Sequence, residues 1–239
     1  MAKFLLIHGG WQAAWCWRET ISGLAAVNHE CIAIDLPGHG ADQAPPAAVT
    51  MEDYVDRIVG IVNESAEKPV LVGHSMGGVI SQAAEAIPDR IRALVYVAAL
   101  LPLNGSKMMD YLAQYDPAFI ASFRFSHDGR TAEITPEGAK EFLYGLCPAA
   151  VVDFALPRLT PEPVAPFDTS LKLTEARYGK VPRYYIETLR DRAIPLTLQR
   201  AMCSASPVKQ VFSLDTDHSP FLSMPGEFNR ALNQIGCEE

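Results

Sequence analysis

Short apolar runs recur along the chain, and the stretches between them are long enough to form helices. The runs are rich in β-branched and aliphatic residues and predict six strands, at residues 4–7, 31–34, 69–72, 93–98, 182–187 and 208–213. Apolar residues at helical spacing predict helices at about residues 15–26, 51–66, 76–87, 194–204 and 225–235. Strands that alternate with helices are typical of βαβ units. The sequence therefore predicts an α/β fold with a mostly parallel six-stranded sheet flanked by helices.

The alternation breaks down between Pro102 and Lys180. This segment is rich in aromatic residues, methionine and proline, and it contains only short helical stretches. A structureless loop of this length would be exceptional in a compact domain. We therefore expect a helical cap over residues 102–180, inserted into a core formed by residues 1–101 and 181–239. An insertion at the carboxyl end of a parallel strand lies where α/β folds bind ligands.

Composition narrows the classes of function. The chain has 239 residues, of which 49% are hydrophobic and 20% charged, and its net charge is −8. No cluster of Lys and Arg indicates a nucleic-acid or membrane partner, and no apolar run approaches the ~20 residues needed to span a bilayer. The first strand begins directly after Met1-Ala2-Lys3 with no signal-peptide pattern, and the five cysteines are scattered. We expect a cytoplasmic protein with free thiols.

The segment Gly73-His74-Ser75-Met76-Gly77 follows the apolar run Val70-Leu71-Val72 and precedes a helical stretch. In this setting a sharp strand-to-helix turn projects a serine hydroxyl above the sheet, and small residues two places either side let the backbone bend. Taken alone, the pentapeptide could also be a glycine-rich loop that happens to contain a serine. In the context of the strand and helix, it predicts Ser75 as a nucleophile.

A serine hydroxyl needs a base within hydrogen-bond reach, and the base needs a third group that orients it. His218 lies just after the last predicted strand, where a loop can reach Ser75, and we predict that it is the base. Asp191 lies on the loop after the preceding predicted strand and is the predicted acid. Asp215 and Asp217 flank His218 too closely to address its ring, so we expect them to be solvated turn residues.

The other five histidines have different interpretations. His74 adjoins the predicted nucleophile, and a side chain at that position usually points away from the site. His8 belongs to a His-Gly-Gly turn, which we expect it to support by hydrogen bonding. His29, His39 and His127 are interpreted as loop or surface residues.

Acyl transfer also needs hydrogen-bond donors aimed at the developing oxyanion. The backbone amide of Met76, directly after the predicted nucleophile, is one candidate, and the amide of Gly10 in the loop after the first strand is the other. Further side chains are candidates for the substrate pocket, although most aromatic residues of the cap could simply pack it onto the core. The candidate pocket residues are Gly9, Trp11, Leu101, Met108, Phe125, Tyr144, Phe154 and Phe221.

Several motifs spread over the whole chain support a family resemblance. They are His8-Gly9-Gly10 with Trp15 and Trp17, Asp35-Leu36-Pro37-Gly38-His39-Gly40, the Gly-His-Ser-Met-Gly turn, Val97-Ala98-Ala99-Leu100-Leu101-Pro102, Tyr185-Ile186-Glu187, Asp191 with Ala193-Ile194-Pro195, and Asp217-His218. With them the chain resembles the α/β-hydrolase superfamily, and more narrowly the plant methylesterase and hydroxynitrile lyase group with its bacterial relatives. The order Ser75, Asp191, His218 matches that of the superfamily. Bacterial pyrethroid hydrolases and carbamate-cleaving esterases share the pattern of Gln199-Arg200-Ala201-Met202 and Ser223-Met224-Pro225.

The resemblance implies a serine esterase mechanism that needs no metal or organic cofactor. Ser75 would attack the carbonyl with His218 as base, while the amides of Gly10 and Met76 hold the oxyanion. Water activated by His218 would then release the acyl or carbamoyl group. The implied substrate is a small hydrophobic, aromatic ester or carbamate. Relatives often form dimers through the cap, so the resemblance also implies a homodimer.

Three alternatives are weighed against this interpretation. Hydroxynitrile lyases of the group carry a threonine right after the first-strand histidine and a lysine right after the catalytic histidine, whereas this chain has Gly9 and Ser219. Both departures disfavour cyanohydrin cleavage, because that lysine stabilises the leaving cyanide. Dehalogenases and epoxide hydrolases use an aspartate where this chain has Ser75. A non-catalytic, ligand-binding homologue is the alternative from another class, and the complete Ser, Asp, His set disfavours it.

Overall fold

The computed structural model describes residues 1–238, and its core is a parallel sheet of six strands. The strands in chain order are β1 (Lys3–Ile7), β2 (Glu30–Ile34), β3 (Val70–His74), β4 (Ala93–Val97), β5 (Phe123–Phe125), β6 (Thr131–Ile134), β7 (Glu162–Pro163), β8 (Arg183–Thr188) and β9 (Gln210–Leu214). The central sheet has the order β2-β1-β3-β4-β8-β9, and each neighbouring pair is parallel. Every strand predicted from the apolar runs overlaps one of its six strands.

Helices cover both faces of this sheet. In chain order they are α1 (Arg18–Ala25), α2 (Met51–Glu64), α3 (Gly77–Ala86), α4 (Pro117–Ala121), α5 (Pro136–Gly138), α6 (Ala149–Ala155), α7 (Leu196–Ala205), α8 (Pro220–Ser223) and α9 (Pro225–Cys237). Apolar residues of α2, α3 and α7 form the core on one face, and those of α1, α8 and α9 form it on the other. The predicted α/β fold is confirmed.

Coverage on both faces explains the sequence of the central strands. All five residues of β3 and all five of β4 are buried. A strand buried on both faces has no solvent side, so its sequence is a continuous apolar run rather than an alternation. The start of α2 is also encoded locally, because the Thr50 hydroxyl accepts a hydrogen bond from Asp53 N and the Asp53 carboxylate accepts one from Thr50 N.

The cap connects β4 to β8. The prediction of a helical cap is only partly right. Besides α4, α5 and α6 the cap contains an antiparallel sheet of three strands in the order β5-β6-β7. These strands have three, four and two residues, so they are too short to produce a clear period-two pattern in the sequence. No helix within residues 1–238 is long and apolar enough to cross a membrane.

Candidate active site

The backbone turns sharply between β3 and α3, and Ser75 lies at the turn. Its φ of 57° is in the left-handed region, which costs a residue other than glycine roughly 1–2 kcal/mol. Two backbone hydrogen bonds fix the turn: Ser75 N donates to Val97 O at 3.1 Å, and Leu100 N donates to Ser75 O at 2.8 Å. A Cβ on Gly77 would run into the Leu100 carbonyl oxygen, so this position requires glycine. The turn therefore presents the Ser75 hydroxyl at the carboxyl edge of the sheet.

Three side chains from separate loops form one hydrogen-bonded chain. His218 Nε2 lies 3.1 Å from Ser75 Oγ, and His218 Nδ1 lies 2.9 Å from Asp191 Oδ2. Asp191 follows β8 and His218 follows β9, and the carboxyl ends of parallel strands share one edge of a sheet. The structure thus brings together the nucleophile, acid and base selected from the sequence. In this geometry the imidazole can take the hydroxyl proton while the carboxylate holds its tautomer.

The carboxylate of Asp191 is buried and surrounded by donors. Its Oδ1 accepts two backbone N–H groups of its own loop, at 2.8 and 2.9 Å. Its Oδ2 accepts Thr188 Oγ1 at 3.0 Å and Gln199 Nε2 at 3.2 Å, in addition to His218. These bonds fix the orientation of the carboxylate, and hence that of the imidazole. Sequence analysis did not predict that Thr188 and Gln199 contact the acid.

The loop after β1 passes directly beside the nucleophile. A Cβ on Gly9 would lie 2.9 Å from Ser75 Cβ and 2.5 Å from His74 Nδ1, so the backbone can approach this closely only because residue 9 is glycine. Gly10 lines the cavity with Ser75, and its amide has no hydrogen-bond acceptor within residues 1–238. The Met76 amide lies 2.5 Å from the His74 carbonyl oxygen, within the turn. Of the two predicted oxyanion donors, one is therefore unengaged and the other contacts its own turn.

A cavity that is partly open to solvent lies above Ser75. Its wall is mainly apolar, and six aromatic residues contribute to it: Trp11, Tyr115, Phe119, Phe123, Phe125 and Phe167. Trp11 and Phe125 are among the candidate pocket residues, whereas the other four were counted only as cap residues. Glu162 supplies the one carboxylate among the lining residues that the structure describes.

The remaining candidate side chains lie outside this wall. They are Leu101, Met108, Tyr144, Phe154 and Phe221. Four of them are fully buried in the core, with Phe154 as the exception. Two arginine guanidinium groups lie over the Phe154 ring, 4.4 and 3.8 Å from its centroid. These apolar residues therefore pack in the core or the cap and do not line the pocket. Composition alone does not distinguish the two roles.

Sequence analysis missed one buried carboxylate at the site, that of Glu162 in β7. Its Oε2 accepts a hydrogen bond from Trp11 N at 2.9 Å and lies 3.2 Å from His39 Nε2, while its Oε1 accepts one from the Tyr54 hydroxyl at 3.2 Å. Burial opposes ionisation, but attraction to His39 and the hydrogen bonds from His39 and Trp11 outweigh it and lower the pKa of Glu162. His39 lies in a loop, as interpreted, but it is buried at this contact and is not a surface residue.

Two further polar loop residues are buried: His29, and Asp217, which was expected to be solvated. His29 Nδ1 accepts a hydrogen bond from Ala2 N at 3.0 Å, and Asp217 accepts one from the cap residue Leu146, whose N lies 2.7 Å from Oδ2. His29 thereby gives the N–H group of the buried residue Ala2 a partner, and Asp217 links the cap to the loop of the base. Asp215, by contrast, is exposed as expected and pairs with an arginine. Within residues 1–238 no group of three or more His, Cys, Asp and Glu side chains is arranged to hold a metal ion.

Comparison with known sequences extends these findings. The model of the alpha/beta hydrolase family matches residues 4–231. Methylesterase 11, chloroplastic, from Arabidopsis thaliana is 35% identical over 97% of this chain, and methylesterase 7 from the same plant is 33% identical over 98% of it. The chain covers 95% of methylesterase 7 but spans only 63% of the length of methylesterase 11.

Comparison with solved structures gives the same architecture. The crystal structure of a pyrethroid hydrolase, PytH, superposes with a TM-score of 0.88 at 26% sequence identity. The superposition covers 98% of this chain and 97% of that one. Core and cap therefore have their counterparts in a single known chain of similar extent.

Proposed function

Because the chain belongs to the alpha/beta hydrolase family and is homologous to plant methylesterases, we propose that it is a serine carboxylesterase acting on small hydrophobic esters or carbamates. The observation that carries this proposal is the hydrogen-bonded chain from Ser75 Oγ through His218 to Asp191, with successive distances of 3.1 and 2.9 Å. Such a chain converts a weak hydroxyl nucleophile into one that attacks carbonyl groups.

In the proposed mechanism, Ser75 Oγ bonds to the carbonyl carbon as its proton passes to His218 Nε2. The negative charge on the carbonyl oxygen is held by the N–H group of Gly10 and by that of Met76, which shares its hydrogen between this oxygen and the His74 carbonyl oxygen. The Met76 amide also lies at the N-terminus of α3, where the helix dipole favours negative charge. His218 then gives the proton to the leaving alcohol, and the acyl group remains on Ser75.

The second half of the reaction repeats these steps with water. His218 Nε2 takes a proton from a water molecule, which attacks the acyl carbon. The tetrahedral intermediate again places its negative charge at Gly10 and Met76. Its collapse returns the proton to Ser75 Oγ and releases the acid, so the protein is regenerated without any further reactant.

The wall of the cavity supports a hydrophobic substrate with an aromatic group. Six aromatic side chains offer ring contacts, and the described lining residues include no lysine or arginine to pair with an anionic substrate. The names of the Arabidopsis methylesterases support a small leaving alcohol, and that of PytH supports a bulky hydrophobic ester. We propose esters of uncharged aromatic acids as the first substrates to test, and methyl carbamates as the second.

The surroundings of Gly9 support hydrolysis over cyanohydrin cleavage. A threonine at this position would place its Cβ 2.5 Å from His74 Nδ1, so the loop could not keep its present path. Ser219, which follows the base, is buried and carries no charge to stabilise cyanide. The hydroxynitrile lyase alternative therefore has no supporting residue at either position.

A substrate panel with two variants tests the proposal. Wild-type protein, Ser75→Ala and Ser204→Ala are assayed with short p-nitrophenyl esters, aromatic methyl esters, pyrethroids and methyl carbamates. Ser204 is an exposed serine on α7 and serves as the control. We expect Ser75→Ala to lose at least about a thousandfold in kcat, and Ser204→Ala to match the wild type. Mass spectrometry of the wild type with a slow carbamate should locate the adduct on the peptide that contains Ser75. Full activity of Ser75→Ala, or an adduct elsewhere, would overturn the proposal.

A further inference from the structure

Three hydrogen bonds from the cap converge on Trp11, the residue after the proposed oxyanion donor Gly10. Trp11 N donates to Glu162 Oε2 at 2.9 Å, and Trp11 Nε1 donates to the Ala132 carbonyl oxygen at 2.8 Å. The Trp11 carbonyl oxygen accepts a hydrogen bond from Thr160 N at 2.9 Å. Both backbone groups of Trp11 and its indole N–H are therefore engaged by the cap.

The conformation of Trp11 needs this support. Its φ of 62° is in the left-handed region, where a bulky side chain is strained by roughly 1–2 kcal/mol. A residue persists in such a conformation when its surroundings over-determine it. Here the surroundings are the turn bond from Gln12 N to the Gly9 carbonyl oxygen, at 3.3 Å, and the three cap hydrogen bonds, since the glycines before Trp11 impose no restriction of their own.

Glu162 is the charged member of this set and is anchored to the core on its other side. His39 Nε2 lies 3.2 Å from Oε2, and the Tyr54 hydroxyl donates to Oε1 at 3.2 Å. His39 Nδ1 in turn lies 3.0 Å from Thr160 Oγ1. The carboxylate is 3% exposed, so its position is set by these partners and not by solvent.

Glu162 also lies close to the proposed donor residue. A Cβ built on Gly10 would lie 3.6 Å from Glu162 Oε2, which is ordinary contact distance. The bond from Trp11 N to the carboxylate fixes the peptide plane between residues 10 and 11. The Gly10 amide belongs to the adjacent peptide plane. Gly10 lines the cavity, and its amide has no acceptor within residues 1–238.

We propose that Glu162 is a positioning residue for the oxyanion site: its carboxylate holds Trp11 N so that the Gly10 N–H remains aimed at the carbonyl oxygen of a substrate bound at Ser75. This inference rests on the proposed function. It also accounts for His39, the histidine of the Asp35-Leu36-Pro37-Gly38-His39-Gly40 motif, which the mechanism does not use. The histidine anchors the carboxylate that arranges the loop.

The test compares Glu162→Ala, Glu162→Gln and Glu133→Gln with the wild type. Glutamine keeps a neutral acceptor for Trp11 N, whereas alanine removes it. Glu133 is an exposed carboxylate on β6 of the same cap sheet and serves as the matched control. Each protein is assayed for kcat and KM, and for its affinity towards an aryl trifluoromethyl ketone, which forms a tetrahedral adduct with a serine, and towards the matching methyl ketone, which binds without reacting.

We expect Glu162→Ala to lower kcat and the affinity for the trifluoromethyl ketone by about 10- to 100-fold, with KM and the affinity for the methyl ketone within about threefold of the wild type. Glu162→Gln should lose about 3- to 10-fold in the same two quantities, and Glu133→Gln should lose nothing. Equal losses for the two ketones, or no loss at all, would overturn the assignment. Because Glu162→Gln is isosteric, it decides the question even where the alanine variant fails to fold.

The two proposals fail in different ways. If the wild type hydrolyses no ester or carbamate and does not react with the trifluoromethyl ketone, the proposed function is wrong and the role of Glu162 falls with it. If the wild type is active and Ser75→Ala is not, while both Glu162 variants behave as Glu133→Gln does, only the role of Glu162 is wrong.

Discussion

His74 Nε2 lies 2.9 Å from the carbonyl oxygen of His218, so the residue that precedes the nucleophile also holds the loop of the base. A carbonyl oxygen can only accept, and the bond therefore requires a proton on His74 Nε2. Burial, together with the nearby His218, lowers the pKa of His74 well below its usual value. The ring thus stays neutral with its single proton on Nε2, so Nδ1, which lies 3.1 Å from the terminal amide group of Gln12, is the acceptor in that contact.

Replacing His74 by phenylalanine removes that donor while keeping a ring of similar size. The His218 carbonyl oxygen is then left without this partner, and we expect the free energy of unfolding to fall by roughly 1–3 kcal/mol. Since the loop of the base is less well held, kcat should fall about tenfold with little change in KM. Chemical denaturation and steady-state kinetics measure the two effects. His127→Phe, on an exposed cap turn, is the control, and a kcat equal to the wild type in His74→Phe would contradict the prediction.

Asp191→Asn should reduce kcat by about 10⁴-fold without unfolding the protein. Oδ1 accepts the backbone N–H groups of Ala193 and Ile194, so the asparagine oxygen will occupy that side. Its NH₂ group then faces His218 Nδ1, which must become an acceptor. The imidazole proton moves to Nε2, and the base can no longer receive the Ser75 proton.

The matched control for this variant is Asp215→Asn. Asp215 lies three residues before the base, but it is exposed and pairs with Arg190. The kcat of Asp215→Asn should remain within twofold of the wild type, because exposed ion pairs contribute little to stability. A loss of similar size in both variants would show that any charge near the histidine loop matters, contrary to the assignment of Asp191.

Gly9→Ala and Gly60→Ala should have opposite effects on stability. A Cβ on Gly9 would lie 2.5 Å from His74 Nδ1 and 2.9 Å from Ser75 Cβ, so we expect a loss of roughly 1–3 kcal/mol and a large fall in kcat. A Cβ on Gly60 meets nothing within 4 Å, and Gly60 lies inside α2. Alanine there should raise the free energy of unfolding by roughly 0.5–1 kcal/mol with unchanged kinetics. Thermal and urea unfolding of both variants provide the measurement.

Stability should fall as the pH drops below about 6.5, partly because of His8. Burial and the neighbouring His39 lower the pKa of His8 from 6.5 to about 4. Above pH 6.5 neither the folded nor the unfolded chain carries this proton. Between pH 6.5 and 4 the unfolded chain binds it first, so the contribution of His8 declines by up to roughly 1.4 kcal/mol per pH unit, or about 3 kcal/mol in total.

The comparison of the wild type with His8→Gln isolates this contribution. The variant is expected to be less stable at pH 7, because the hydrogen bonds from Leu36 N to Nε2 and between Nδ1 and the Gly9 carbonyl oxygen are disturbed. Its stability should decline less steeply with falling pH, since glutamine does not titrate. Urea unfolding at intervals between pH 7 and pH 4.5 measures the difference, and parallel curves for the two proteins would contradict the prediction.

The central sheet could be predicted from sequence because its information is local. Apart from His74 and the hydroxyl of Tyr96, the runs at Val70–His74 and Ala93–Val97 are apolar, and this is what two-sided burial requires. The cap could not be predicted in the same detail. The strand Glu162–Pro163 has two residues, one of them proline, and it forms by pairing with β6, about thirty residues earlier in the chain.

The residues of the candidate site also fall into a group that could be predicted from sequence and a group that could not. Ser75, Asp191 and His218 were selected because each follows a predicted strand, and the topology then fixes where they meet. Glu162 and His39 were missed because their contact joins residues more than a hundred positions apart, with no spacing that relates them. The one available signal was a glutamate between two prolines in an apolar segment, which does not distinguish a buried carboxylate from a solvated one.

The bonds from Glu162, Thr160 and Ala132 to Trp11 have a consequence for how substrate range can change. Loops that shape a pocket are commonly treated as modules, exchanged between homologues to obtain a new specificity. In this protein the same segment also supplies three of the bonds that keep Trp11 in its strained conformation. A transplanted cap that lacks a hydrogen-bond acceptor for the backbone N–H of residue 11 would change which substrates enter the cavity. It would also change how fast those substrates react. A cap that is exchanged to obtain a new specificity must therefore also keep the bonds to Trp11 if turnover is to be retained.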